Sequence, residues 1–479
     1  MVLVAVRTDA NSDGLTFSQI QYGVRIIKMK RMLFKNFRQG LAFASLLIFS
    51  SMVASAQSVL TRPSVVPQPI TAATPLIKST VSSAPSVATP DLGQPSLEPD
   101  VAGLRGVLVE TVDGKTVMDS SSTATFNPAS NVKLATAFAV LKTLKPNYRF
   151  PTKIYTDGVF NSQTGTLIGN LYVVGNDPSF NYEHGVSIAA ALNKMGVRQV
   201  SGDLIVSANF TLGYTPSALR AGNLLNSTLD ANHRSAAAVT AWQNYLRTTG
   251  ETVTTYPNVV VTGKVSSEEL PTNLRLLVTH ESSPLKDILK ACLSYSNNFV
   301  AERLGDSIGG ALSVERIVEQ EARIAPEEFQ IASSSGLGIN RVTPRAMMKV
   351  FRALHNELAK SKMSITDVLP VAGIDEGTLK NRFTGFTERG SVIGKTGTLP
   401  STDGGVSSLV GQMGTAKGEM LFFVIFNMRG NVNRFRDYQN KLVTYLQNQR
   451  GGAMSFAYLP KSFPALLANT RVTTEKTSN

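Results

Sequence analysis

One cysteine, one tryptophan and four histidines are all that this 479-residue chain holds of the residue types that most often staple a fold or bind a metal. Cys292 has no partner for an internal disulfide, so packing alone must hold the fold whatever compartment it occupies. Set among apolar neighbours, it reads as a buried core thiol. His184, His233, His280 and His355 lack ligand spacing, so neither a metal nor a cofactor is expected. Internal repeats are absent. Basic runs and aromatic-interleaved basic stripes are missing too, although the formal charge is +13. Seven Lys/Arg against two Asp fall within the first 56 residues, and the remaining surplus is spread thinly. That pattern argues against nucleic acid as a partner and suits work near anionic polymers of a cell envelope.

No apolar run reaches the ~20 residues that a bilayer span needs. The longest, Gly40 to Val53, follows MKRMLFKNFR from Met29 and precedes Ala54-Ser55-Ala56, which is the layout of a signal peptide with a small-x-small cleavage site. Residues 1–56 are therefore expected to be an extension plus an export signal, cleaved after Ala56, with peripheral membrane contact as the alternative of an uncleaved anchor. From Gln57 to Asp100, eight prolines lie among Ser, Thr, Val and Ala, the composition of a linker.

At 42% apolar residues the remainder can bury a sizeable core, and its length suggests roughly two or three units. GVLVETV, Asp113-Gly114 and KTVMDS predict a hairpin. Leu134, Phe138 and Leu141 then recur at helical spacing, predicting a helix from about Ser130 to Leu144 with one core-directed face. Residues 151–270 alternate strand-like and helical runs and read as an inserted lobe. Helical patterns resume after Ser283-Pro284 and around Pro344 to Leu354, and Ser283 looks like an N-cap with proline at the first helical position. Strand-like runs cover Ser391 to Thr398, Val406 to Met413 and Met420 to Asn427, before a closing helix carrying Phe435, Tyr438 and Leu442. The expected fold is a mixed α+β domain from 101–150 and 271–455, its sheet completed from both chain ends, with a tail over 456–479.

Three short patterns occur in chain order: Ser130-Asn131-Val132-Lys133, Ser296-Asn297-Asn298 and Lys395-Thr396-Gly397-Thr398. Each is weak alone. Ser-x-x-Lys recurs at Ser283 to Lys286, and Ser-x-Asn recurs at Ser179 and Ser207, whereas Lys-Thr-Gly occurs once. On a helix Ser130 and Lys133 share a face, so hydroxyl and amine come within hydrogen-bond reach beside the positive end of the dipole. Ser296 falls between two helical runs, and Gly397 on a strand allows close backbone approach of a substrate peptide.

This set resembles the three motifs shared by β-lactamases and penicillin-binding proteins. GNLYVVGNDPSF, SGDLIVSANF, SSGLGINRVTP and LPVAGIDEGTL extend the resemblance over Leu104 to Asn427. They are similar to the low-molecular-mass class C penicillin-binding proteins, the D-alanyl-D-alanine carboxypeptidase/endopeptidase family. The resemblance implies a transpeptidase-type domain that cleaves peptidoglycan stem peptides through an acyl-enzyme on Ser130 and is acylated by β-lactams. It implies export to the periplasm or cell envelope, Lys133 as base and Ser296 as proton relay to the leaving amine. It further implies that Asn298 holds the peptide amide, that Lys395, Thr396 and Thr398 bind the terminal carboxylate, and that backbone N–H groups of Ser130 and Thr398 form the oxyanion hole. To act as base, Lys133 must titrate about three units below an ordinary lysine, and burial and the charge of Lys395 are both expected to push it there. Two departures stand out: Asn297 replaces a common Asp, and Ser207 stands where relatives commonly place an acid, which puts recognition of a side-chain amine in doubt. A β-lactamase shares the motifs, but the long insert and these flanks argue against it. Intact Ser130, Lys133 and Lys395 argue against a non-catalytic wall-binding or sensor module.

Overall fold

Strand Met420–Met428 shows how the cores form, because its run LFFVIF is apolar at every position. Side chains alternate across a strand, so such a run must be buried on both faces. Phe422, Val424 and Phe426 enter one core with Phe351, while Leu421, Phe423 and Ile425 enter a second with Tyr438 and Leu442. The computed structural model describes residues 101–252 and 255–475. The expected signal peptide and linker, 1–56 and 57–100, lie outside them.

Met420–Met428 is central in a five-stranded antiparallel sheet, in the order Val392–Leu399, Val406–Gly414, Met420–Met428, Leu104–Thr111, Thr116–Ser120. The predicted N-terminal hairpin therefore adds to strands from the far end of the chain, with Leu104 opposite Met428 and Thr111 opposite Leu421. Helices Val132–Leu144 and Pro344–Lys360 pack on one side of this sheet and Val432–Asn448 on the other. Every residue of Val132 to Leu141 is buried, so the first helix is apolar nearly all round rather than along one face. It also starts later than expected, because a 3₁₀ turn over Ala129–Asn131 precedes it.

A second, six-stranded sheet runs Val265–Ser267, Leu204–Val206, Leu171–Gly175, Pro151–Thr156, Arg275–Glu281, Arg471–Thr474. Its first three strands are mutually parallel and the others antiparallel. Helices Tyr182–Lys194 and Ala218–Leu229 contribute Ile188, Leu192, Leu225 and Leu229 to its core. Arg275–Glu281 joins the strands of residues 151–270 in this sheet, and the segment beyond 455 carries helix Phe463–Leu467 and strand Arg471–Thr474. Without that last strand, Arg275–Glu281 would present an open edge of N–H and C=O groups.

Ser283 is not the cap it resembled. Pro284 takes that place ahead of helix Leu285–Tyr295, with no side-chain cap, and the buried Ser283 hydroxyl has no hydrogen-bond partner. Among the described residues no helix is long and apolar enough to cross a membrane.

Candidate active site

The turn that carries Ser130 is assembled from four chain segments. Asn127 Oδ1 accepts from Ala129 N at 3.0 Å, and its amide donates to Gly338 O and to Asp403 Oδ2. Ala129 adopts φ 48°, a left-handed conformation that a non-glycine residue holds only under constraint. Asn131 Nδ2 donates to Ser408 Oγ at 2.8 Å, and that hydroxyl donates to Pro128 O at 2.6 Å. Gly397 faces this knot: a Cβ there would lie 2.2 Å from Ser408 Oγ and 2.6 Å from Pro128 O. Gly397 thus allows the protein's own Ser130 turn to approach this strand closely. Ser130 itself is only partly buried, at the start of the helix and beside its dipole.

Lys133, one helical turn on, is 1% exposed. Its Nζ lies 3.1 Å from Ser130 Oγ, 2.7 Å from Asn298 Oδ1 and 2.7 Å from Ser335 O. Two of these partners are carbonyl oxygens, which only accept, and the third is a hydroxyl, which does either. A neutral amine satisfies both carbonyls with its two N–H bonds and leaves its lone pair for the Ser130 proton. Burial pushes Lys133 down to about 8, and the Cys292 and Glu302 side chains oppose that descent. Lys395 is the deeper amine, held well below the ordinary range by burial first and by the charge of Lys133 second. The two buried amines are therefore coupled, each disfavouring the charged form of the other.

Helix Leu285–Tyr295 ends at Ser296, whose φ of 56° turns the chain through the left-handed region. Lys395 Nζ donates to Ser296 Oγ at 2.8 Å and to Thr396 O at 2.6 Å. Asn297 then caps helix Asn298–Asp306, its Oδ1 accepting from Val300 N at 3.1 Å. Asp and Asn are equally good caps, which explains why Asn297 is tolerable in place of an acid. The result is two lysine–serine pairs, Lys133 with Ser130 and Lys395 with Ser296, with Asn298 bonded to the first.

Lys395 and Gly397 point from strand Val392–Leu399 toward the Ser130 turn, and the alternate positions Thr396 and Thr398 belong to the other face. Thr396 Oγ1 donates to Thr378 Oγ1 at 2.8 Å, and Thr398 Oγ1 accepts from Arg436 Nη2 at 3.1 Å. Ser130, Lys133 and Asn298 thus share one set of hydrogen bonds and Ser296 and Lys395 another, while Thr396 and Thr398 turn to Thr378 and Arg436. Ser207 lies in the lobe, its hydroxyl 3.4 Å from Gly175 N.

Sequence reasoning missed what holds the Ser335 carbonyl against Lys133. Glu302 accepts from both Ser334 N and Ser335 N, at 3.1 and 3.0 Å, and Thr136 Oγ1 donates to Ser334 O at 2.6 Å. A signal existed: Glu302 follows Asn298 by one helical turn, and Ser335 lies within SSGLGINRVTP.

The model of the D-Ala-D-Ala carboxypeptidase 3 (S13) family matches residues 89–214 and 222–460. The chain belongs to this family. It is a serine-type D-alanyl-D-alanine peptidase, a hydrolase related to bacterial cell-wall enzymes. Among relatives, the D-alanyl-D-alanine carboxypeptidase DacB of Haemophilus influenzae is 25% identical over 414 residues, covering 67% of this chain and 84% of its own. Carboxypeptidase Rv3627c of Mycobacterium tuberculosis is 23% identical, covering 76% of this chain and 85% of its own. Among solved structures, the penicillin G-acylated predatory endopeptidase Bd3459 of Bdellovibrio bacteriovorus, in complex with immunity protein Bd3460, aligns with TM-score 0.66. It is 23% identical and covers 77% of this chain and 99% of its own. H. influenzae penicillin-binding protein 4 aligns with TM-score 0.55 at 23% identity, covering 74% of this chain and 98% of its own. These likenesses establish a family fold of the penicillin-binding type, mixed α+β as expected.

Proposed function

We propose that this S13 enzyme works in the cell envelope as a D-alanyl-D-alanine carboxypeptidase and cross-link endopeptidase, with Ser130 as nucleophile. Neutral Lys133 takes the Ser130 proton as Oγ attacks the carbonyl carbon of the penultimate D-alanine. The N–H groups of Ser130 and Thr398 receive the oxyanion. Thr396 and Thr398, whose hydroxyls share one face of the strand, hold the terminal carboxylate with Lys395 buried behind them, and Asn298 holds the substrate amide. Because Lys395 donates to Ser296 Oγ, the Ser296 hydroxyl proton is free to go to the leaving amine. The C–N bond breaks, D-alanine or the cross-linked amine departs with the Ser296 proton, the proton taken by Lys133 returns to Ser296, and water then hydrolyses the Ser130 ester to free acid and free serine.

The observation that carries this reading is Lys133 Nζ, buried and 3.1 Å from Ser130 Oγ, with its remaining two partners acceptors only. The acylation of a related endopeptidase by penicillin G supports β-lactams as covalent inhibitors here too. Fluorescent penicillin should label the protein covalently, and Ser130→Ala should abolish labelling while leaving thermal unfolding intact, since removing a partly exposed hydroxyl disturbs little packing. Mass spectrometry of products from defined muropeptides then separates the two peptidase activities. Persistent labelling of Ser130→Ala would end this assignment.

A further inference from the structure

Behind the threonine face of strand Val392–Leu399 lies a cleft of about 420 Å³, whose wall includes Thr378, Thr396, Thr398, Arg382, Arg436 and Asp437. It opens on the hydroxyls assigned to the substrate's terminal carboxylate and is far larger than a carboxylate. Its charges are uneven. Arg382 is 9% exposed, yet its hydrogen bonds run to neutral acceptors only: Asn440 Oδ1 at 2.8 and 2.7 Å, Gln439 Oε1 at 3.2 Å and Arg436 O at 3.4 Å. A buried guanidinium is ordinarily matched by a carboxylate, because desolvating an unmatched charge is expensive. Arg436, exposed at the rim, sends one amino group to Thr398 Oγ1 at 3.1 Å and the other to Asn433 Oδ1 at 3.5 Å. Asp437 is the one carboxylate of the lining, so two guanidiniums face one acid.

A peptidase that forms an acyl-enzyme must also seat the amine it expels. With the scissile carbonyl at Ser130 and the leaving residue's carboxylate on Thr396 and Thr398, whatever the leaving residue carries further extends toward Arg436 and Arg382. We propose that this cleft is a leaving-group subsite for an anionic side arm. The preferred substrates are then acyl-D-alanyl peptides whose leaving residue bears a second carboxylate beyond the first, as a cross-linked strand does and free D-alanine does not. The inference rests on the acyl-enzyme reading above and names the substrate class of that same site.

The test compares three soluble substrates that share one acyl half and end in D-Ala-D-Ala, D-Ala-D-Glu or D-Ala-D-Gln. D-Glu and D-Gln are nearly isosteric, so their ratio of kcat/KM isolates the side-arm charge. The wild-type enzyme should favour D-Glu over D-Gln by about tenfold, the worth of one screened charge-assisted hydrogen bond. Arg436→Gln, an exposed change that leaves the core alone, should bring the ratio to near one, and Arg436→Lys should keep part of it. A wild-type ratio near one overturns the proposal. So does an Arg436→Gln enzyme that loses all three substrates equally, since Arg436 would then serve only the carboxylate they share. Failure of the wild-type enzyme to take up fluorescent penicillin would instead refute the acyl-enzyme reading, so the two failures are distinct.

Discussion

Between pH 6 and 10 the rate at which penicillin acylates Ser130 should follow the titration of Lys133. With that amine at about 8, about one molecule in ten carries the neutral base at pH 7 and about nine in ten at pH 9. The second-order acylation rate, followed by stopped-flow with a fluorescent penicillin, should therefore rise about tenfold from pH 7 to a plateau above pH 9. The Glu302 carboxylate favours the ammonium form. Glu302→Gln should thus move the midpoint below 8, and the variant keeps one carbonyl acceptor for the Ser334 and Ser335 N–H groups. Lys133→Arg should be inactive throughout, because a guanidinium does not deprotonate in this range. Stability carries the same signature. The folded value lies below the unfolded one of 10.5, so the unfolded chain binds more protons between about 8 and 10.5. The burial penalty is in full force below that window and is relieved as pH rises through it, by about 3 kcal/mol for this group. A flat acylation profile across pH 6 to 10, or a midpoint near that of free lysine, would refute Lys133 as the base.

Ser296→Gly and Ser296→Ala should both slow turnover by removing the relay hydroxyl, but the glycine variant should be more stable by about 1 kcal/mol in chemical denaturation, because only alanine strains at φ 56°. Equal stabilities would show that this conformation stores no strain. Ser283→Ala should leave penicillin labelling unchanged and cause no loss of melting temperature, since it removes a buried hydroxyl without a partner. Lys395→Ala should slow acylation by penicillin and by D-Ala-D-Ala peptides alike, because each presents a carboxylate at that place. An unchanged acylation rate would show that Lys395 takes no part in holding the carboxylate.

The three motifs were legible because each is short and its internal geometry follows from helix or strand periodicity: Lys133 one turn after Ser130, Thr396 and Thr398 alternating with Lys395. The partners of those motifs were not. Ser408 reaches the Ser130 turn, Thr378 reaches Thr396 and Arg436 reaches Thr398 across long sequence distances, and no local pattern encodes such a meeting. Ser283 misled for the converse reason. Serine before proline has the composition of a cap, but extended backbone at Pro284 and deep burial left its hydroxyl nothing to hold. The mixed fold followed from the order of strand-like and helical runs, whereas the extra strand at Arg471–Thr474 is too short and polar to declare itself.

The pairing of distant strands also fixes an order of events for a chain made from its N-terminus. Leu104–Thr111 emerges early, yet its partner Met420–Met428 comes only near the end, and Arg275–Glu281 waits for Arg471–Thr474 on one side. Neither sheet closes on a partial chain. The growing polypeptide therefore keeps the double-faced apolar edge of its first hairpin uncovered until nearly all of it has been delivered, which slows folding and makes the nascent form dependent on whatever shields it. Premature stops anywhere before residue 420 should yield not a smaller peptidase but an aggregation-prone fragment with its nucleophile helix unsupported.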